Sequence, residues 1–203
     1  MLTMHVRVPT NASSFSLDMN FFSSEFPEYS CSPFNDFFVV LLDSTYAGSP
    51  ANPTDKNLAI YTDTAGMKYP VGVNLASGNT GLFTQCKNGK TGCAVDPLDS
   101  SLSSVPGSIS TCTSVTELAG TGMDGADPEQ TQGGTWAGGG CSASAEIGGA
   151  TGWLTTTGNV TPGEIMTLRI AIWDTSDTDL DSLVALDNFK WSAQASDPGT
   201  VIQ

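Results

Sequence analysis

Histidine is almost missing from this chain: His5 is the only one in 203 residues. Any Ser-His-Asp or Cys-His arrangement would have that one imidazole as its sole base, and it stands in an alternating stretch that reads as an edge or surface strand. No GxSxG elbow, phosphate loop, dinucleotide fingerprint or HExxH pair occurs either. The expectation is that the chain is not an enzyme. Positive charge is also short. Seven Lys and Arg stand against 21 Asp and Glu, a formal net charge of −14. A surface of that sign repels phosphate backbones, which argues against nucleic acid and anionic lipid as partners. No apolar run reaches the 18 residues or so that a membrane-spanning helix needs. CxxC pairs and Cys/His clusters are absent, and with them the spacing of a structural zinc site. Long Ala, Leu, Glu and Lys runs at helical period are missing too.

What remains is strand and turn. Gly numbers 22, and Ser, Thr and Asp are abundant, a composition that favours strands joined by many turns. Residues 1–10 alternate. Phe15, Leu17, Met19 and Phe21 fall on one face, with Ser16, Asp18 and Asn20 on the other, the period of two expected of a half-buried strand. Phe37 to Leu42 is continuously apolar and reads as a central strand covered on both faces. Asn57 to Thr62 reads as another strand. Further strands follow at Trp153 to Thr157, around Leu168 to Trp173, and from Leu183 to Lys190. Thr161-Pro162-Gly163-Glu164 is a turn with Pro and Gly in its central places. The fold class expected is all-β: a jelly-roll-like β-sandwich. The length suits one domain spanning residues 1–203. Within it, residues 77–149 form a long Gly/Ser-rich, loop-rich insert with a short element near Val115 to Leu118.

Five cysteines point to an oxidising compartment. Cys86 and Cys93 flank Lys87-Asn88-Gly89-Lys90, a hairpin-like loop that a disulfide would close. Pairing Cys112 with Cys141 would pin the Gly-rich region and leave Cys31 as the odd thiol. No export leader is visible at the amino terminus, so the chain reads as a mature or excised piece whose signal lies outside it or was removed. Asn11 and Asn159 each begin a match to the glycosylation sequon.

The chemistry-bearing constellation is made of oxygen alone. Glu25 follows a strand, Asp36 precedes one, and Asp174 ends a third. Asp177, Asp179 and Asp181 come shortly after. Strand ends meeting at one pole of a sandwich would bring such carboxylates together, where they repel one another unless a cation neutralises them. Calcium suits that demand, because it accepts 6 to 8 oxygens in flexible geometry. The metal set expected is Glu25, Asp36, Asp174 and Asp181, with Ca²⁺ as the ion. The spacing is not that of an EF-hand loop. Trp136, set among glycines, is a possible stacking surface for a sugar. Trp153, Trp173 and Trp191 sit at strand ends, where a core role is the usual one.

SSEFPE at 23–28, FND at 34–36, and WD at 173–174 followed by LDS at 180–182 together resemble the bacterial choice-of-anchor L domain, over roughly residues 14–192. The resemblance implies a secreted or surface-displayed β module without established enzymatic activity. A looser similarity of layout links the chain to CUB-type jelly rolls. In their calcium-binding members a Glu after one strand, an Asp starting the next and an Asp ending a later one share the ion, and Glu25, Asp36 and Asp174 fall in that order. The function expected is a non-catalytic adhesive or structural module of the cell surface, matrix or an extracellular filament. Its partners would be a protein or glycan, or further copies of itself. The rivals are a carbohydrate-binding module and a hydrolase acting through paired carboxylates.

Overall fold

A computed structural model describes residues 1–26, 35–75, 80–86, 112–124, 148–175 and 180–203. These form ten strands and two short 3₁₀ turns. The strands are β1 (Leu2–Arg7), β2 (Ser14–Ser23), β3 (Phe37–Asp43), β4 (Ile60–Thr62), β5 (Lys68–Pro70), β6 (Gln85–Cys86), β7 (Gly149–Asn159), β8 (Ile165–Trp173), β9 (Ser182–Ser192) and β10 (Gly199–Ile202). The 3₁₀ turns are Val73–Leu75 and Thr116–Leu118. No α-helix occurs among the described residues. One sheet has the order β1-β8-β3. The other runs β5-β4-β10-β7-β2-β9, with β6 added against β7.

The alternation read from β2 has the cause assigned to it. Phe15, Leu17, Met19 and Phe21 are buried in the main core. They share it with Phe38, Val40 and Leu42 of β3, with Met166, Leu168 and Ile170 of β8, and with Leu154 of β7. A fully buried side chain of this size contributes about 1.5–3 kcal/mol. The polar face of β2, however, is not solvated. Asp18 and Asn20 are 7% and 1% exposed. Asp18 accepts hydrogen bonds from Thr155 Oγ1 at 2.8 Å and Asn188 Nδ2 at 2.6 Å, so its burial is compensated.

Three strand expectations change. The apolar run 37–42 is not central, because β3 lies at the edge of its sheet. It is buried because the segment 56–72 seals that edge: Leu58 N donates to Val40 O, Phe38 N to Val71 O and Leu42 N to Lys56 O. Only Ile60–Thr62 of the span expected from Asn57 is strand, since Asn57 instead turns its Oδ1 onto the amides of Val40 and Ala59. The final strand is β10, which had no alternating pattern to reveal it.

The expected insert is partly core. Leu82, Phe83 and Cys86 belong to the main core, and Phe83 stacks on Phe26 with ring centroids 4.4 Å apart. Leu118 and Met123 cover Phe22 and Ala150 on the outer face of the larger sheet. One disulfide is described, between Cys86 and Cys112, with their Cα atoms 5.0 Å apart. It replaces both expected pairings: Cys86 is not bonded to Cys93, nor Cys112 to Cys141. The reason is the sheet. Cys86 N donates to Ser114 O, and Gln85 bridges Ser114 in parallel, so the segment around Cys112 runs alongside β6. Cys31, Cys93, Cys141 and Trp136 lie outside the described residues.

Asn159, one of the two sequon matches, is 0% exposed. Its Nδ2 donates to Pro50 O and Ser196 O, both at 2.8 Å, and its Oδ1 accepts from Ser196 N. It is a structural staple closed to a glycosyltransferase, whereas Asn11 is exposed.

On one long side the two sheets end in β1 and β9, and between these edges runs an apolar seam of about 370 Å³. Leu2, Met4 and Val6 line it from β1, and Leu186 and Phe189 from β9.

Candidate metal centre

β2 runs into Glu25 two residues past its end. β3 and β8 are antiparallel neighbours with Phe37 opposite Trp173, so Asp36 and Asp174, each one residue outside that pair, emerge at the same end of the sheet. The two rings pack edge to face, 4.3 Å between centroids. Asn35 and Thr175 then tie the two chain ends together: Asn35 N donates to Thr175 Oγ1 at 3.2 Å, and Thr175 Oγ1 donates to Asn35 O at 2.8 Å. Glu25 is drawn in from the other sheet, its Oε2 accepting from Asp36 N at 3.1 Å. Glycine is required at position 72, where a Cβ would stand 2.6 Å from Asp36 O; Val73 N donates to that same oxygen.

The outcome is that Glu25, Asp36 and Asp174 each place a carboxylate oxygen within 4.8 Å of the other two. Glu25 and Asp36 are 1% and 2% exposed, and Asp174 is half-buried. The Oδ1 atoms of Asp36 and Asp174 are shut off from solvent. Gathering three acids in so little water favours either proton uptake or a cation, since each ionised form penalises the next. Three oxygen donors from a single pole are the chemistry of a hard divalent ion.

Asp181 is not in this group of carboxylates. It reaches the pole through its main chain, whose carbonyl accepts from Ser24 N at 3.0 Å and Ser24 Oγ at 2.9 Å. That contact docks the start of β9 beside Glu25. Asp177 and Asp179 lie outside the described residues. The Asn35–Thr175 lock was not anticipated; its only trace in the sequence is that polar residues flank both aspartates on their outer sides.

A second cluster of polar groups occupies the opposite pole. Burial pushes the Glu164 carboxyl up, but hydrogen bonds from Ser44 and from the amides of Thr45 and Thr161 outweigh it and hold the group below its ordinary value. Asp43 is likewise held low, first by the hydrogen bond from Lys56, against a raising contribution from burial, and then by Arg169. Both ion pairs of Asp43 are partly exposed and contribute little to stability. His5 lies on the exposed outer face of β1, its Nδ1 3.0 Å from Thr167 Oγ1.

An acid-rich β-sandwich whose strand ends gather carboxylates at one pole is the class these features define. A family model described as the choice-of-anchor L domain matches residues 5–190, and the chain belongs to that family. Membership marks it as a cell-surface module. No curated protein and no solved structure matches the chain. No helix among the described residues is long and apolar enough to cross a membrane.

Proposed function

We propose that the chain is a non-catalytic adhesive or structural module of the cell surface or extracellular matrix, with a jelly-roll-like layout fixed at one pole by calcium. The observation that carries this reading is the convergence of Glu25, Asp36 and Asp174 from the ends of three strands in two sheets. The ion would bind those three carboxylates, with the Asp181 main chain at the rim, and would hold β2, β3 and β8 in one arrangement. The contact surface lies within the Gly- and Ser-rich stretch 77–149, whose composition is that of recognition segments carried on a rigid scaffold. Self-assembly is supported by the apolar seam between β1 and β9, two edge strands between which a strand of a second copy would fit.

Calcium titration of chelator-treated protein by calorimetry and thermal melting tests the reading. An ion present at 100 times its dissociation constant stabilises the fold by about 2.7 kcal/mol, which at this chain length raises the melting temperature by roughly 5–11 °C. Asp36→Asn should abolish the increment. Equal melting of the wild type in calcium and in chelator would sink the calcium part of the proposal. The alternative, a carbohydrate-binding module, is favoured by a separate feature of the larger sheet.

A further inference from the structure

On the outer face of the larger sheet is a half-open cleft of about 250 Å³. Thr84, Gln85, Glu117, Gly152, Trp153 and Gln203 line it. Gln85 is 8% exposed, and among the described residues its Oε1 has no hydrogen-bond partner. Asn20, opposite Trp153 in the β2–β7 ladder, is 1% exposed, and its Nδ2 donates to the Glu117 carboxylate behind the cleft wall. Buried amide oxygens are almost always satisfied in folded proteins, because an unmet one costs about 1–3 kcal/mol. Gln85 lines the cleft, so its unmet oxygen marks a place where a donor is expected from outside the chain.

The walls are built rather than incidental. The register of β2 on β7 shifts between Asn20 and Phe22, and Gly152 at this bulge has φ +73°, a conformation that glycine adopts without strain. The bulge interrupts the ladder immediately beside Trp153. The opposite wall is tied by the Cys86–Cys112 disulfide and by Thr113 N donating to Thr84 O at 2.7 Å. These links fix Gln85 relative to the 3₁₀ turn that carries Glu117.

We infer that this cleft is a binding site for a single neutral sugar ring, held by hydrogen bonds to Gln85 and Glu117 and by contact with the indole of Trp153. Among the described residues the lining combines the side-chain amides of Gln85 and Gln203, the Glu117 carboxylate and the Trp153 indole N–H, and holds no Lys, Arg or His, so it disfavours an anion and matches a polyhydroxyl ligand, which both donates and accepts. The volume lies below the ~300 Å³ at which drug-sized sites begin and has room for one ring. An indole presents the flat apolar surface with a polar edge that suits the C–H face of a pyranose. The site shares no residue with the carboxylate pole and does not depend on calcium.

The test is a ¹H–¹⁵N titration of the intact chain with a panel of neutral monosaccharides, run once in calcium and once in chelator, with glucuronate and tetramethylammonium in parallel. At least one neutral sugar should shift the Trp153 indole N–H, the Gln85 side-chain amide and the Thr84 and Gly152 backbone amides, in both buffers. Gln85→Leu should weaken that sugar by about tenfold, the loss of one or two hydrogen bonds. It should also leave the melting temperature unchanged or raise it, because it removes an unmet buried oxygen; a purely structural glutamine would lower it. Trp153→Phe, which keeps an aromatic ring for folding, should weaken binding as well. Shifts with tetramethylammonium alone would make this a cation site and overturn the proposal. So would silence with every sugar, or unchanged affinity in folded Gln85→Leu.

Discussion

Replacing Cys86 and Cys112 together by alanine removes the disulfide without leaving a free thiol, and its effect follows from the loop that the bond closes. The two residues are separated by 26 positions. A cross-link of that span removes denatured-state entropy equivalent to about 3.5 kcal/mol at 25 °C. Cys86 is also buried in the main core, so loss of its sulfur adds a packing penalty of about 1 kcal/mol or less. Against a total stability of about 5–15 kcal/mol, the double variant should lose a quarter or more. At this chain length the bond's share alone is a fall of roughly 7–14 °C in melting temperature. Urea unfolding is the assay: the midpoint should drop and the slope should rise, since the unlinked denatured chain exposes more surface. Cys112→Ala alone should reproduce most of the loss. A bond from Cys86 to Cys93, seven residues away, would contribute only about 2.4 kcal/mol by the same relation and would leave Cys112→Ala nearly silent. A silent Cys112→Ala, or non-reducing peptide maps joining Cys86 to Cys93, would refute the reasoning.

Acid should find the pole opposite the carboxylate cluster. Glu164 is held below its ordinary 4.5 in the folded chain, so its contribution is complete above that pH and is lost as pH falls through the folded value; melting profiles of Glu164→Gln should be flatter on that acid limb than the wild type's. Gly158→Ala should cost about 1–3 kcal/mol by overpacking, because a Cβ there would lie 2.6 Å from Leu58 Cδ1 and 3.0 Å from Leu42 Cδ2; an unchanged urea midpoint would contradict that. Leu186→Lys should break self-association at the β1–β9 seam with little loss of stability, read by sedimentation against wild type at matched concentration.

The legible parts of this fold were those in which one face of a strand meets a core. β2 declared itself because Phe15, Leu17, Met19 and Phe21 all enter the same interior. β8 did so through Leu168 and Ile170. β3 was recognised but misplaced: a strand buried by a sealing segment has the same apolar run as one flanked by strands, and the seal consists of backbone hydrogen bonds from residues 56–72 that no pattern encodes. β10 was invisible for the opposite reason, since Val201 and Ile202 are each 57% exposed and Gly199 and Thr200 show no alternation. The acidic trio was legible because each member abuts a strand that could be read. Asp181 was assigned by proximity in sequence alone, and its main chain rather than its carboxylate makes the contact described.

Trp153 shows why a side chain's role can escape the sequence even when its strand does not. Strict alternation from Leu154, Thr156 and Gly158 sends Trp153 to the outer face of the sheet, yet an indole at a strand end was read as core because large aromatics usually are. What keeps it from being merely a stranded hydrophobe is material from elsewhere in the chain. β6 and the 3₁₀ turn at Thr116–Leu118 rise over that face and bring Gln85 and Glu117 to the indole. They are held there by a disulfide whose pairing cannot be read from cysteine spacing. The same overhang buries Phe22 and Ala150 through Leu118 and Met123. The outer face of the larger sheet therefore carries a small second core at one end and a polar cleft at the other, divided by the bulge at Gly152. A domain that needed only to shield Phe22 could have ended the overhang in apolar residues; this one places Glu117 immediately before Leu118, where its carboxylate takes the Asn20 amide and joins Gln85 in lining a solvent-open cleft.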